Sequence, residues 1–289
     1  MAYIVIISTV NAWFPDRRGF SSGALMMGFG ASTLLLGKIA DRLFASELGW
    51  RSTYVLMGIA ISVVIVLSSF MIQAPSADII LPQKKKSSAA KGEAFEARDY
   101  TPAEMIRRFS FWRAFLALVC LTAVGSSVIS FARDLALSVG AEAALATTLV
   151  GVLAVCNGLG RILTGVIFDT MGRRFTMIAA GILTVFAAGV TLFAVSIDSL
   201  ALCVIGLCLT GLSYGTSPTV SSAFTSAFYG QKHFATNLSI SNFNLMIASF
   251  IATACSSLQT ATGGYTAPFI LLLALAAVAL ALNVSIKKP

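Results

Sequence analysis

Apolar residues run along this chain in long unbroken stretches separated by short polar turns, with no sustained alternation. The stretches span Phe20 to Ile39, Trp50 to Ile72, Phe111 to Phe131, Leu145 to Phe168, Phe175 to Val195, Leu200 to Phe224, His233 to Leu258 and Pro268 to Val284. A hydrocarbon core of about 30 Å takes about 20 helical residues to cross, so each stretch predicts a transmembrane helix. A ninth, shorter one runs from Ala2 to about Val10. Closed barrels are the other way across a bilayer, but their alternating ten-residue segments are absent. The expected fold is an all-α membrane protein of about nine transmembrane helices.

Composition supports the lipid bilayer as partner. Hydrophobic residues make up 57% and charged residues 11% of the chain, and mean hydropathy is +0.87, whereas globular domains keep about a quarter of their residues charged. The net charge of +8 does not imply a nucleic-acid partner. With loops alternating sides and Pro289 inside, fifteen of the twenty Lys and Arg fall on one side, among them Arg17, Arg18, Lys84, Lys85, Lys86, Arg173, Arg174, Lys232, Lys287 and Lys288. Positive-inside bias then makes the C-terminus and the long loop cytoplasmic. Cys120, Cys156, Cys203, Cys208 and Cys255 all lie in spans without metal-type spacing, and read as small apolar fillers. The first stretch lacks the basic start and small-residue cleavage site of a signal peptide.

One polar segment interrupts the helices, and it divides the chain into 1–74, 75–110 and 111–289. Low in aliphatics and highly charged, it reads as a flexible cytoplasmic linker. Its end, "TPAEMIRR", places Thr101 as an N-cap, Pro102 at the first helical position and Glu104 at the third, so a short surface helix should lead into the next span. A weak echo links "FPDRRGFSSG", from Phe14, to "FYGQKHFATN", from Phe228, as the entrances to equivalent helices in two parallel half-repeats would.

Arg161 stands inside an apolar run, eight residues before Asp169. At 1.5 Å per residue the two are about 12 Å apart along a helix. An arginine near a helix centre costs roughly 2.5–3.5 kcal/mol to insert, so it should face protein or a watery cavity. Ala154, Asn157, Gly158, Arg161 and Gly165 form a small, polar stripe at three- and four-residue steps. A buried fork of this kind suits a carboxylate, with Asn157 as a helper; an arginine that only locks helices together, through an ion pair or a carbonyl, is the alternative. Asn237, Ser241, Asn244 and Ala248 share one face of a later span, and Asn237 and Asn244 are candidate cleft residues. Ser213, Ser217 and Ser221 share another, beside Pro218, where small polar residues also serve helix packing. In the loop, Gly172 should allow the turn, Gly165 a close helix approach, and Asp169 a pairing with basic residues or the cap of a neighbouring helix; Arg173 and Arg174 should anchor the loop inside.

"GVIFDTMGRR", residues 165 to 174, resembles the G-x-x-x-D-x-x-G-R-[RK] loop of the major facilitator superfamily in its C-terminal-half version. The order of "NAWFPDRRGFSSGALMMGFG", the charged loop, "TPAEMIRRFSFWRAF" and "NGLGR" resembles the oxalate/formate antiporter group and its monocarboxylate-transporter relatives. This resemblance implies a twelve-helix architecture of two six-helix bundles, of which the chain would begin in the fourth helix, as a fragment or a product started at an internal methionine. It implies alternating-access transport of a small organic anion, no cofactor, a proton or counter-anion as coupling partner, and placement in the cell inner membrane. It further implies that Gly165, Asp169, Gly172, Arg173 and Arg174 latch the bundles in one conformation, and that Arg161 is a substrate ligand. Oxalate carriers of the family add a lysine in the eleventh helix; residues 234 to 258 hold none, which favours a monoanion. Lys38 and Arg133 are the other cations in view, both suited to snorkelling at an interface, and His233 reads as solvated. A carrier of an uncharged or cationic solute and a non-transporting remnant remain the alternative readings. HExxH, Walker-type and paired intramembrane carboxylate patterns are missing, so an enzyme is not expected.

Overall fold

The computed structural model describes residues 2–44, 46, 49–73, 75 and 99–286, with backbone alone at 2, 3 and several positions between 29 and 41. Lys84 to Lys86, Lys287, Lys288 and the Lys38 side chain lie outside the described residues. The chain is a succession of helices: α1 (Ala2–Trp13), α2 (Arg18–Phe44), α3 (Gly49–Met71), α4 (Pro102–Ile106), α5 (Phe109–Ser138), α6 (Ala143–Met171), α7 (Arg173–Ser196), α8 (Leu200–Tyr229), α9 (Phe234–Ser241), α10 (Phe243–Thr262) and α11 (Thr266–Ser285). Among the described residues, seven helical segments are long and apolar enough to cross a membrane, α9 and α10 counting as one; α1 is shorter, and α2, read from the sequence as a span over Phe20 to Ile39, is not among the seven. At 27 residues, α2 extends about 40 Å.

The span read as one helix over His233 to Leu258 is divided at Asn242, which closes α9 and opens α10. Continuity is nearly kept, because Asn242 N donates to Leu238 O at 2.9 Å and Leu245 N to Asn242 O at 3.1 Å. The tightened turn shifts the facing of the α10 residues relative to those of α9. Pro218, by contrast, is accommodated inside α8 without ending it. The short helix α4 forms as its sequence predicts: Thr101 N and Oγ1 donate to Glu104 Oε2 at 2.8 and 2.9 Å, and Glu104 N returns a bond to Thr101 Oγ1.

α5 is the central helix, with 78% of its membrane-length window buried, whereas α3 buries none of its own and turns Trp50, Val64, Leu67 and Phe70 outward. Aliphatic side chains exposed along a spanning helix are what a hydrocarbon solvent requires. At one end of the bundle gather the C-termini of α6, α8 and α11 and the N-termini of α2, α5, α7 and α9. Arg113 of α5 donates to Ser285 O at the end of α11, and Arg173 of α7 stacks 4.0 Å over Phe228 of α8. Ile7 of α1 and Met26 of α2 share a small buried cluster with Phe234 and Leu238 of α9.

Asp99 and Tyr100 tie the start of α5's leader to the α8–α9 turn. Gln231 N and Lys232 N donate to Asp99 Oδ1 at 2.8 and 3.0 Å, Tyr100 N donates to Tyr229 O, and Asn237 Nδ2 donates to Tyr100 O. The Lys232 N–H bond holds the Asp99 carboxyl below the usual range against an opposing desolvation, helped by the Gln231 N–H bond and the nearby Lys232 and His233 charges. Gly230, at φ 79°, turns the chain here in a conformation that favours glycine.

Candidate functional site

A cavity of about 240 Å³ opens between the helices. α2 contributes Met26 to its lining, α5 Thr122, α6 Arg161 and α8 Tyr214, Ser217 and Pro218; Asn242, Asn244 and Leu245 complete it from the α9–α10 junction. Arg161 is the one charged residue among them, 9% exposed. Its guanidinium bonds include one from Nε to Asn157 Oδ1 at 3.1 Å and one from Nη1 to Met26 O at 2.8 Å. Asn157 is its i−4 neighbour on α6, so the helix itself fixes that pairing. The second bond crosses to α2, and Thr219 Oγ1 of α8 approaches both Arg161 O and Met26 Sδ.

The opposite wall is neutral. Thr122 Oγ1 lies 2.5 Å from Ser217 Oγ and donates to Asn244 Oδ1 at 3.4 Å, while Asn244 Nδ2 donates to Ser241 O at 2.7 Å. Tyr214 leans across α5 where Gly125 leaves room; a Cβ at that position would stand 2.2 Å from the ring. The helices carrying Arg161 and Tyr214 are themselves in backbone contact, since a Cβ on Gly160 would meet Leu212 O at 2.3 Å and one on Gly215 would meet Asn157 O at 2.2 Å.

The structure brings Arg161, Asn157 and Asn244 to the cavity or its immediate support. Asn237 lies elsewhere: it is fully buried and bonded to Tyr100 O, and its Oδ1 finds no hydrogen-bond partner among the described residues. A regular helical wheel puts Asn237 and Asn244 on one face, but they stand seven residues, about 10 Å, apart along the axis, and only the second lines the cavity. Asn242, Tyr214 and Met26 are site residues that the sequence did not single out. A third asparagine between two already noted was the available signal for Asn242; nothing local marked the other two. Ser213 serves packing, 2.6 Å from Thr184 Oγ1 on α7.

About two turns beyond Arg161, Asp169 caps α2. Gly19 N donates to Oδ1 at 3.1 Å and Phe20 N to Oδ2 at 2.8 Å, so one carboxylate satisfies two of the helix's orphan donors. The cap is reachable because Gly19 and Gly165 let the backbones touch: a Cβ on Gly165 would stand 2.2 Å from Gly19 O. Gly172 ends α6 at φ 81° and starts α7. Arg174 is exposed, as an anchor in the loop should be, but Arg173 is buried against Phe228; a guanidinium stacks favourably on an aromatic face. Arg133 pairs with Asp134 at 3.7 Å on the surface, and is no part of the cavity. Among the described residues no group of three or more His, Cys, Asp or Glu is gathered for a metal ion.

Solved and curated proteins place this architecture. The chain resembles the crystal structure of the Escherichia coli fucose:proton symporter with a TM-score of 0.67 at 13% identity, over 98% of this chain and 74% of that one. It is 27% identical over 242 residues to the uncharacterized MFS-type transporter YhjX of Escherichia coli strain K12, covering 82% of this chain and 56% of the relative. It is 25% identical over 239 residues to the oxalate:formate antiporter of Oxalobacter formigenes, covering 81% and 54%. The chain thus spans about half the length of these curated relatives. The Major Facilitator Superfamily profile matches residues 1–253, and the chain, a multi-pass membrane protein, belongs to that family.

Proposed function

We propose that the protein is a secondary active carrier of a small organic anion, a monocarboxylate or an acid of the oxalate/formate type, moved by alternating access around the Arg161 cavity. The observation that carries this reading is a permanently charged, buried fork facing a neutral, hydroxyl- and amide-lined wall. A carboxylate is the natural counterion, held bidentately by the guanidinium. The wall supplies one cation and no second among its described residues, which favours a monoanion over a dianion. A volume of about 240 Å³ corresponds to roughly eight waters' share of liquid, below the drug-sized range, so an acid of a few carbons fits. The relative named as an oxalate:formate antiporter supports an anion.

In this reading Arg161, with Asn157 orienting it, and Asn244 bind the anion, whereas Asn237 stabilises the α9 end of the site. Gly165, Asp169, Gly172, Arg173 and Arg174 form the latch at the cytoplasmic end. Residues 1–74 belong to one bundle and 111–289 to the other, joined by the cytoplasmic segment 75–110; the protein sits in the cell inner membrane with its C-terminus cytoplasmic. Transport is coupled to a proton or a counter-anion, and the chain is a carrier and not an enzyme. The Met26 carbonyl bond specifically favours a second reading, in which Arg161 only locks α2 to α6. Uptake of labelled formate, lactate and oxalate into proteoliposomes separates the two. Arg161→Lys and Arg161→Ala should each lower uptake at least tenfold, with Lys retaining some affinity for lack of a fork alone. Equal uptake by both variants and the parent would sink the ligand assignment.

A further inference from the structure

Arg161 does not serve one half of the molecule alone. Its Nη1 donates across the α2–α6 contact to Met26 O at 2.8 Å, and both residues line the cavity. The contact is tight, because a Cβ on Gly23 would stand 2.3 Å from Arg161 O. The guanidinium that faces the cavity therefore also holds α2 in place, at a point two turns from the Asp169 cap.

We propose that an anion in the cavity competes with the Met26 carbonyl for the Arg161 guanidinium, so that binding itself unties α2 from α6. This inference rests on the anion-carrier reading above. A carboxylate is the stronger acceptor, since a charge-assisted pair is roughly twice as strong as a bond to a neutral carbonyl. The exchange strands nothing: a carbonyl inside a helix accepts its own i+4 N–H as well as the guanidinium, and keeps the first when it loses the second. The anion then has a differential interaction with the two arrangements, strongest where the guanidinium has swung to it, and only such a difference can shift a conformational equilibrium. Close backbone packing, the Asp169 cap and the attraction between Arg18 and Asp169 still tie α2 to α6, and the cap must give way next. Asn157 Oδ1, bonded to Nε and not to Nη1, holds the side chain at its root during the swing. Occupancy is thereby converted into loosening at the cytoplasmic end.

The test reads amide hydrogen exchange at Gly19 and Phe20, whose N–H groups report the Asp169 cap, on the purified protein in detergent. Sodium formate, lactate and oxalate are compared with sodium chloride at equal ionic strength, with binding followed by calorimetry. The expected result is several-fold faster exchange at those two amides, half-maximal at the concentration that half-saturates binding. Gly23→Ala, which wedges α2 from Arg161 O, should exchange fast without acid and bind it at least as tightly as the parent. An acid that binds the parent yet leaves Gly19 and Phe20 exchange unchanged overturns the inference and spares the carrier reading; weaker binding by a folded Gly23→Ala overturns the competition. If Gly23→Ala fails to fold, the parent's exchange decides. Absence of binding by all three acids removes the carrier reading, and the inference with it.

Discussion

An alanine at position 165 would put its Cβ 2.2 Å from Gly19 O, 2.6 Å from Gly19 C and 2.9 Å from Phe20 N. All three are backbone atoms of a helix, so no side chain can swing aside, and ordinary contact begins at 3.4 Å. α2 must back away from α6 by about 1 Å. The bonds from Gly19 N and Phe20 N to Asp169, now 3.1 and 2.8 Å, would then lie beyond good hydrogen-bond geometry. Losing a carboxylate cap costs about 0.5–2 kcal/mol and overpacking a helix contact about 1–3 kcal/mol. Together they disfavour the closed end by roughly 1.5–5 kcal/mol, a shift of roughly 10- to 4,000-fold in the ratio of closed to open. Spin labels at Arg17→Cys and Thr170→Cys, both exposed and flanking the contact, would read the distance across it in a background without native cysteines. Gly165→Ala should move that distribution to longer values and lower thermal stability. Gly189→Ala on α7, where a Cβ meets nothing within 4 Å, should do neither. A Gly165→Ala distribution indistinguishable from the parent's, with an unchanged melting temperature, would refute the reasoning.

Two further sites respond to single changes. Asp99 titrates below the usual carboxylate range in the folded chain, so its contribution is fully present above the ordinary value of about 4 and is lost as pH falls through the depressed one. Amide exchange at Gln231 and Lys232 should therefore quicken only in acid, and Asp99→Asn should abolish that acid step; an identical pH profile in the variant would count against it. Gly125→Ala places a Cβ 2.2 Å from Tyr214 Cδ2 and 2.5 Å from its Cβ, which should force the ring into the cavity and weaken anion binding about tenfold. Unaltered affinity in calorimetry would show that Tyr214 does not shape the cavity.

Local rules made much of the molecule legible. Apolar runs gave the helices, Thr101, Pro102 and Glu104 gave α4, and the four-residue spacing of Asn157 and Arg161 put them on one face. Asp169 was readable as a potential helix cap, though nothing in the chain said that α2 would be the helix. Three kinds of information were not local. Met26 enters the site through a backbone carbonyl, which every residue has and no side-chain pattern marks. Tyr214 enters because Gly125, on another helix, leaves a gap for its ring. Asn237 and Asn244 separate because a shared helical face says nothing of depth: they lie about 10 Å apart along the axis, and only Asn244 stands at the level of the cavity. Arg173 shows the limit of charge rules: positive-inside bias locates the residue on a side of the membrane, but an aromatic at Phe228 decides whether it meets water.

α6 runs without a break from Asn157 past Asp169, and that continuity makes it a lever. With about 12 Å between Arg161 and Asp169 along the axis, a tilt of only about 5° about the first displaces the second by about 1 Å. A tilt of α6 too slight to be noticed in the cavity would arrive at the far end large enough to decide whether a carboxylate still reaches two amides. A proline or a paired glycine inserted between the two positions would leave each intact and disconnect them, because a jointed rod bends where a stiff one transmits.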